Sequence, residues 1–122
     1  MPIDRGGIYW HDFGSQGGRK QAGTRPVVVI QADYINQIAG YGLTMVIPLS
    51  TRERKIATWV AIEPTQANGL SARSYAICTQ VYTIDKGELE AKTGQLGVED
   101  FDRVIRGIQI ALDILPDWPR DP

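Results

Sequence analysis

Few side chains in this 122-residue sequence combine a reactive type with a suggestive position. Arg25 stands directly before Pro26 and the apolar run Val27-Val28-Val29-Ile30. Proline fixes its own φ, has no N–H and pushes the preceding residue into an extended conformation, so Arg25 is expected at the mouth of a strand. Its guanidinium is permanently charged and forks onto two oxygens, which suits a phosphate. Ser50 and Thr51 follow a second proline, Pro48, at the exit of the run Leu43-Thr44-Met45-Val46-Ile47, and Arg52, Arg54 and Lys55 come next. If the two strands are neighbours, Arg25 and Ser50 converge on one phosphate. His11, the single histidine, can exchange a proton near neutral pH. Each residue also has a plainer use: an arginine that caps a carbonyl, a Ser-Thr turn, a half-buried histidine tip.

Other chemistries are excluded by residue type. One histidine and one cysteine, Cys78, assemble neither a Ser-His-Asp nor a Cys-His arrangement, and no cluster with zinc spacing exists. Gly18-Arg19-Lys20-Gln21 lacks the hydroxyl that a phosphate-binding P-loop needs for magnesium, and no helix follows it. No cofactor or metal is expected. No apolar stretch approaches the roughly 20 residues of a membrane helix, and the N-terminus lacks the apolar core of a signal peptide. A cytoplasmic protein with no membrane partner is expected, and a lone cysteine fits a reducing compartment. The net charge of −1 is unevenly divided: seven bases face four acids up to residue 60, and six face ten thereafter. A local basic surface in the first half can therefore coexist with an acidic remainder.

The elements that must hold these residues read as many short strands and one long helix. The length indicates a single domain, 1–122. Residues 7–13, 43–49 and 58–62 read as strands, and 27–30, unbroken and β-branched, as a central strand covered on both faces. Residues 14–24 carry four glycines and read as a long basic loop ending in Arg25. A helical turn is expected at 32–37. Residues 74–84 read as one longer strand, bent near Gln80, holding Cys78 as a buried strand thiol. Asp85 can cap a short helix, and 93–96 can form an edge strand. Val98, Phe101, Val104, Ile105, Ile108, Leu112 and Leu115 repeat at helical spacing, with acids in the first turn and Pro116 as the stop. Strands this short and numerous suggest a small barrel with the helix packed on it. Trp118, in the proline-rich tail, could contact a partner or fold back.

The ordered series Arg5-Gly6-Gly7-Ile8-Tyr9-Trp10, Gln21-Ala22-Gly23-Thr24-Arg25-Pro26-Val27-Val28-Val29-Ile30-Gln31, Asn36, Val46-Ile47-Pro48-Leu49-Ser50-Thr51 and Gln80-Val81-Tyr82-Thr83-Ile84-Asp85-Lys86 resembles the MazF/PemK (Kid) family of toxins. The resemblance implies an SH3-like β-barrel with a C-terminal α-helix (the CcdB/MazF/Kid-type fold) and a homodimer inhibited by a MazE-like antitoxin. It further implies metal-independent cleavage of single-stranded RNA, in which the ribose 2′-hydroxyl attacks phosphorus to leave a 2′,3′-cyclic phosphate and a 5′-hydroxyl. The catalytic arginine of the family matches Arg25, and its hydroxyl residue matches Ser50, with Thr51 the adjacent alternative. RNA contacts are expected from Arg19, Lys20, Gln21, Asn36, Arg52, Thr79, Gln80 and Tyr82. Two positions where many members carry an acid hold Lys20 and Thr79, so neither supplies a carboxylate base, and His11 becomes the substitute. Tyr82 replaces a frequent basic residue and could stack on a base. The alternatives are a CcdB-like gyrase-binding toxin, against which the Asp117-Trp118-Pro119-Arg120-Asp121-Pro122 ending argues, and a catalytically impaired binding module.

Overall fold

The computed structural model describes residues 3–15 and 21–115. Its strands are β1 (Gly7–Asp12), β2 (Thr24–Val29), β3 (Leu43–Ser50), β4 (Trp59–Ile62), β5 (Ser74–Ile77), β6 (Tyr82–Asp85) and β7 (Leu89–Gln95). A one-turn helix α1 (Asp33–Asn36) follows β2, and helix α2 (Val98–Ala111) comes last. The antiparallel sheet runs β4-β5-β3-β2-β1-β7, with β6 also paired to β3.

Alternation along β2 builds two cores from one strand. Val28 and Ile30 join Ile8, Ile47, Leu49 and Val104 under α2, with Phe101 and Ile108 packed against them. Val27 and Val29 join Tyr9, Phe13, Val46 and Ile84 on the other face. The three valines are completely buried, each stabilising the fold by roughly 1.5–3 kcal/mol relative to exposure. This is the two-sided burial expected of an unbroken β-branched run.

The ends of the sheet are drawn together by the loop after β4. Gln95 N–H of β7 donates to Ala67 O at 2.9 Å, and Thr93 Oγ1 donates to Asn68 O at 3.3 Å. Buried Asn68 holds that loop, donating to Glu63 O and accepting from the N–H groups of Thr65 and Leu70. A Cβ on Gly94 would collide with the Ala67 carbonyl, so the close approach requires glycine. The result is a barrel-like antiparallel sheet carrying a C-terminal helix, as expected.

Both prolines occupy gaps in the ladders. Ile30 N–H bonds Met45 O on β3, so by alternation residues 28 and 26 also turn their backbone groups toward β3. The β2–β3 register begins at Val27↔Pro48, and the absent N–H of Pro26 falls just beyond it. Pro26 is thus the third residue of β2 rather than a strand's first. Pro48 lies between the last β6 pair, Val46↔Tyr82, and the first β5 pair, Leu49↔Ala76, where no ladder bond is needed.

Three expectations about elements are corrected. Residues 74–84 form two strands, because β3 pairs with β6 along its first half and with β5 at its end. The chain must leave one partner position before taking the other, and the turn is closed by Gln80 N–H to Ile77 O at 3.1 Å. Cys78 therefore sits in a turn, still buried, with Sγ 3.5 Å from Val104 O. Helix α2 ends at Ala111, before Pro116, where Asp113 takes the left-handed conformation (φ 58°) and Ile114 N–H returns to Gln109 O. Strand β7 starts earlier than expected, directly after a 3₁₀ turn at Lys86–Glu88 that Asp85 caps reciprocally with Glu88.

Candidate active site

The β1–β2 hairpin places the histidine beside the arginine. His11 and Arg25 are direct cross-strand partners, next to Asp12↔Thr24. Phe13 N–H to Gly23 O (3.0 Å) and Gly23 N–H to Gly14 O (2.9 Å) extend the hairpin outward. Alternation assigns the face: Tyr9 and Phe13 on β1, Val27 and Val29 on β2 and Val46 on β3 all belong to the second core. His11, Arg25 and Ser50 have the same parity as these residues, so they share that side of the sheet. The β2–β3 register ends at Val27↔Pro48, and Ser50 pairs with Tyr75 on β5. His11 and Arg25 pair at one end of that face, and Ser50 ends β3 two residues past its last pair with β2.

Their surroundings differ. Arg25 is exposed, and its Nε–H donates to Ala22 O at 3.1 Å, while no carboxylate among the described residues forms an ion pair with it. His11 is only 5% exposed, held edge-on to Phe13 (centroids 4.6 Å apart, planes at 89°), with Nδ1 3.4 Å from Glu88 O. Donation from Nδ1 to that carbonyl leaves Nε2 as the basic nitrogen. Ser50 is 8% exposed, and its Oγ accepts the Arg52 N–H at 3.1 Å, leaving the hydroxyl proton to donate elsewhere. Thr51 and Arg52 are exposed beyond it.

A second group borders the arginine. Gln21 donates from its backbone N–H to Tyr82 Oη at 3.4 Å and from Nε2 to Gln80 Oε1 at 3.0 Å. The Tyr82 ring lies against Phe13, centroids 4.8 Å apart. Thr79 is exposed in the turn between β5 and β6. Phe13 and the Gln21–Gln80 contact had no sequence signal beyond the parity Phe13 shares with His11, since the amide pair joins residues far apart in the chain.

Asn36 is not brought to this surface. It is buried beside α1, its Nδ2 donating to Gln31 O and Asp33 Oδ1 and its Oδ1 accepting from Gln31 Nε2 and Thr44 Oγ1. A fully bonded buried amide ties α1 to β3 and has no donor left for a ligand. Lys86 Nζ bonds the Asn36 carbonyl and helps line a cleft of about 380 Å³ with Ile3, Tyr9, Leu89 and Glu90. Arg19, Lys20 and Trp118 lie outside the described residues. Among the described residues no three His, Cys, Asp or Glu side chains group to hold a metal, and no helix is long and apolar enough to cross a membrane.

A guanidinium, a hydroxyl and an imidazole around an exposed strand end can bind a phosphoryl group and move a proton. Residues 4–112 match the family described as PemK-like, MazF-like toxin of type II toxin-antitoxin system. Endoribonuclease EndoA of Bacillus subtilis is 32% identical over 94% of this chain and 98% of its own length. Endoribonuclease MazF of Staphylococcus saprophyticus is 32% identical over 90% of this chain and 91% of its own. An endoribonuclease solved in complex with its cognate antitoxin, from a mycobacterial species, superposes with a TM-score of 0.76 at 26% identity, covering 94% of this chain and 97% of that one. With a family match over nearly its whole length and relatives that it covers almost end to end, this chain belongs to the PemK-like, MazF-like toxins of type II toxin–antitoxin systems.

Proposed function

We propose that the protein is a single-domain, sequence-specific endoribonuclease toxin, acting in the cytoplasm as a homodimer, that cleaves single-stranded RNA without a metal and is inhibited by a cognate MazE-like antitoxin. The observation that carries the reading is the cross-strand pairing of His11 with Arg25 at the end of the β1–β2 hairpin. In this mechanism the ribose 2′-oxygen forms a bond to phosphorus as its proton leaves for an acceptor, the P–O5′ bond breaks, and the departing 5′-oxygen takes a proton from solvent water. Arg25 stabilises the dianionic transition state through its two Nη groups, Nε being occupied by Ala22 O. Ser50 adds a neutral hydrogen bond. His11 Nε2 is the proton acceptor, standing where neither Lys20 nor Thr79 offers a carboxylate. Exposed Arg52 and Thr79, with Arg19 and Lys20, supply RNA contacts.

Purified protein incubated with mixed single-stranded RNA in EDTA tests this directly. Discrete fragments with 5′-hydroxyl ends are expected, and RNA that stays intact would overturn the reading.

A further inference from the structure

The contacts bordering Arg25 form a continuous chain. Tyr82, at the start of β6, packs its ring on Phe13 and accepts the Gln21 backbone N–H on its hydroxyl. Gln80, two residues earlier, accepts Gln21 Nε2. Residue 21 is thereby gripped at its main chain and at its side chain. The next residue, Ala22, presents the carbonyl that receives Arg25 Nε–H. A guanidinium held at Nε has its plane and fork direction set, whereas an exposed, untethered arginine samples many rotamers and loses that freedom when it is ordered.

We propose that Gln80 and Tyr82 are positioning residues that, through Gln21, hold the Ala22 carbonyl where it orients the Arg25 guanidinium toward the scissile phosphate. This gives them a task different from the RNA contact expected of them by resemblance. The inference rests on the endoribonuclease reading for its catalytic consequence, but the latch itself exists without RNA. Gln80 from the β5–β6 connection, Tyr82 from β6 and Gln21 from the loop exit thus act on the reaction without touching the reacting atoms.

The test uses Gln80→Met, Gln21→Met, the double variant and Tyr82→Phe, the last keeping the ring on Phe13 while deleting the acceptor. In the free wild-type protein the Arg25 Nε–H resonance should exchange slowly with water, and each variant should lose that protection. Single-turnover cleavage should fall by about 10- to 100-fold in rate with KM within about twofold, the scale expected when a reacting group is misplaced by about an ångström. The Gln21/Gln80 double variant should be no worse than either single one, because both remove the same bond. Retained Nε–H protection would overturn the proposal, as would additive losses or a loss confined to KM, which would mean direct RNA contact. If wild-type protein left RNA intact, the function reading would fail while the resonance still decided the latch.

Discussion

Arg25 does two jobs with one side chain: Nε is tied to Ala22 O, and the outward fork faces solvent. Replacing it by lysine keeps the charge but loses both the tether and the bidentate geometry. Arg25→Lys is therefore expected to lower single-turnover cleavage by roughly 10²–10³-fold, and Arg25→Ala to abolish it, measured on a labelled oligoribonucleotide. Full activity in Arg25→Ala would remove this residue from the mechanism. His11 makes a sharper prediction, because its Nδ1 contact with Glu88 O leaves Nε2 as the base. His11→Gln should lower the single-turnover rate by about 10²–10⁴-fold. An unchanged rate would transfer proton acceptance to another group.

At the level of elements, helix α2 meets the sheet through a glycine. A Cβ at Gly107 would stand 2.6 Å from Cys78 Sγ and 3.1 Å from Val60 Cγ2. Gly107→Ala is expected to destabilise the fold by about 1–3 kcal/mol in denaturant unfolding, through overpacking, despite alanine's better helix propensity. The thiol underneath is also a pH reporter. Burial pushes Cys78 up to about 12, so the folded state keeps it neutral while the unfolded chain ionises it from about pH 9. Its contribution is complete below pH 9 and falls by about 1.4 kcal/mol per pH unit as pH rises toward 12. Unfolding curves across that range should be steeper in pH for the wild type than for Cys78→Ala. Equal slopes would show the thiol to be ionised in the fold.

The same scale shows what the chain made legible. Val27 to Ile30 could be read as a doubly covered strand because no polar residue interrupts them, and the periodicity of α2 marked Phe101, Val104 and Ile108 as packed, whereas Val98 and Leu112 of the same series are exposed. Between Ser74 and Ile84 the sequence showed only a bend near Gln80, and not that the chain divides there into β5 and β6. Only the demand of β3 for two successive partners divides them. Likewise Arg25, Ser50 and His11 could be singled out by type and by neighbouring prolines. Asn36, expected as an RNA contact, is instead held inside by four hydrogen bonds, whose partners Gln31, Asp33 and Thr44 carry no mark of that burial in their residue types.

For the whole molecule, the uneven charge has a measurable consequence. The basic first half holds the proposed site, and the acidic remainder includes α2, whose first turn carries Glu99 and Asp100. RNA affinity should fall as salt rises, with a log–log slope of about −0.7 per phosphate neutralised on single strands. Arg52→Ala should flatten that slope by measurable counterion release, while a salt-independent KM would exclude Arg52 from the phosphate path. The relatives named as endoribonucleases favour RNA cleavage over the gyrase-binding alternative.

Strand β3 takes partners from both directions of the chain, β2 before it and β5 and β6 after it, and β1 pairs with β7. On the ribosome this imposes an order in time. The hairpin bearing His11 and Arg25 emerges early, yet the strand that fixes Ser50 has no second flank until residues 74–85 have been made, and β1 is uncovered until 89–95 follow. At roughly 5–20 residues per second, the sheet around the proposed site completes only seconds after its first strand leaves the tunnel. A chain released after Ile62, lacking β5, β6 and β7, is expected to show no cleavage of a labelled oligoribonucleotide.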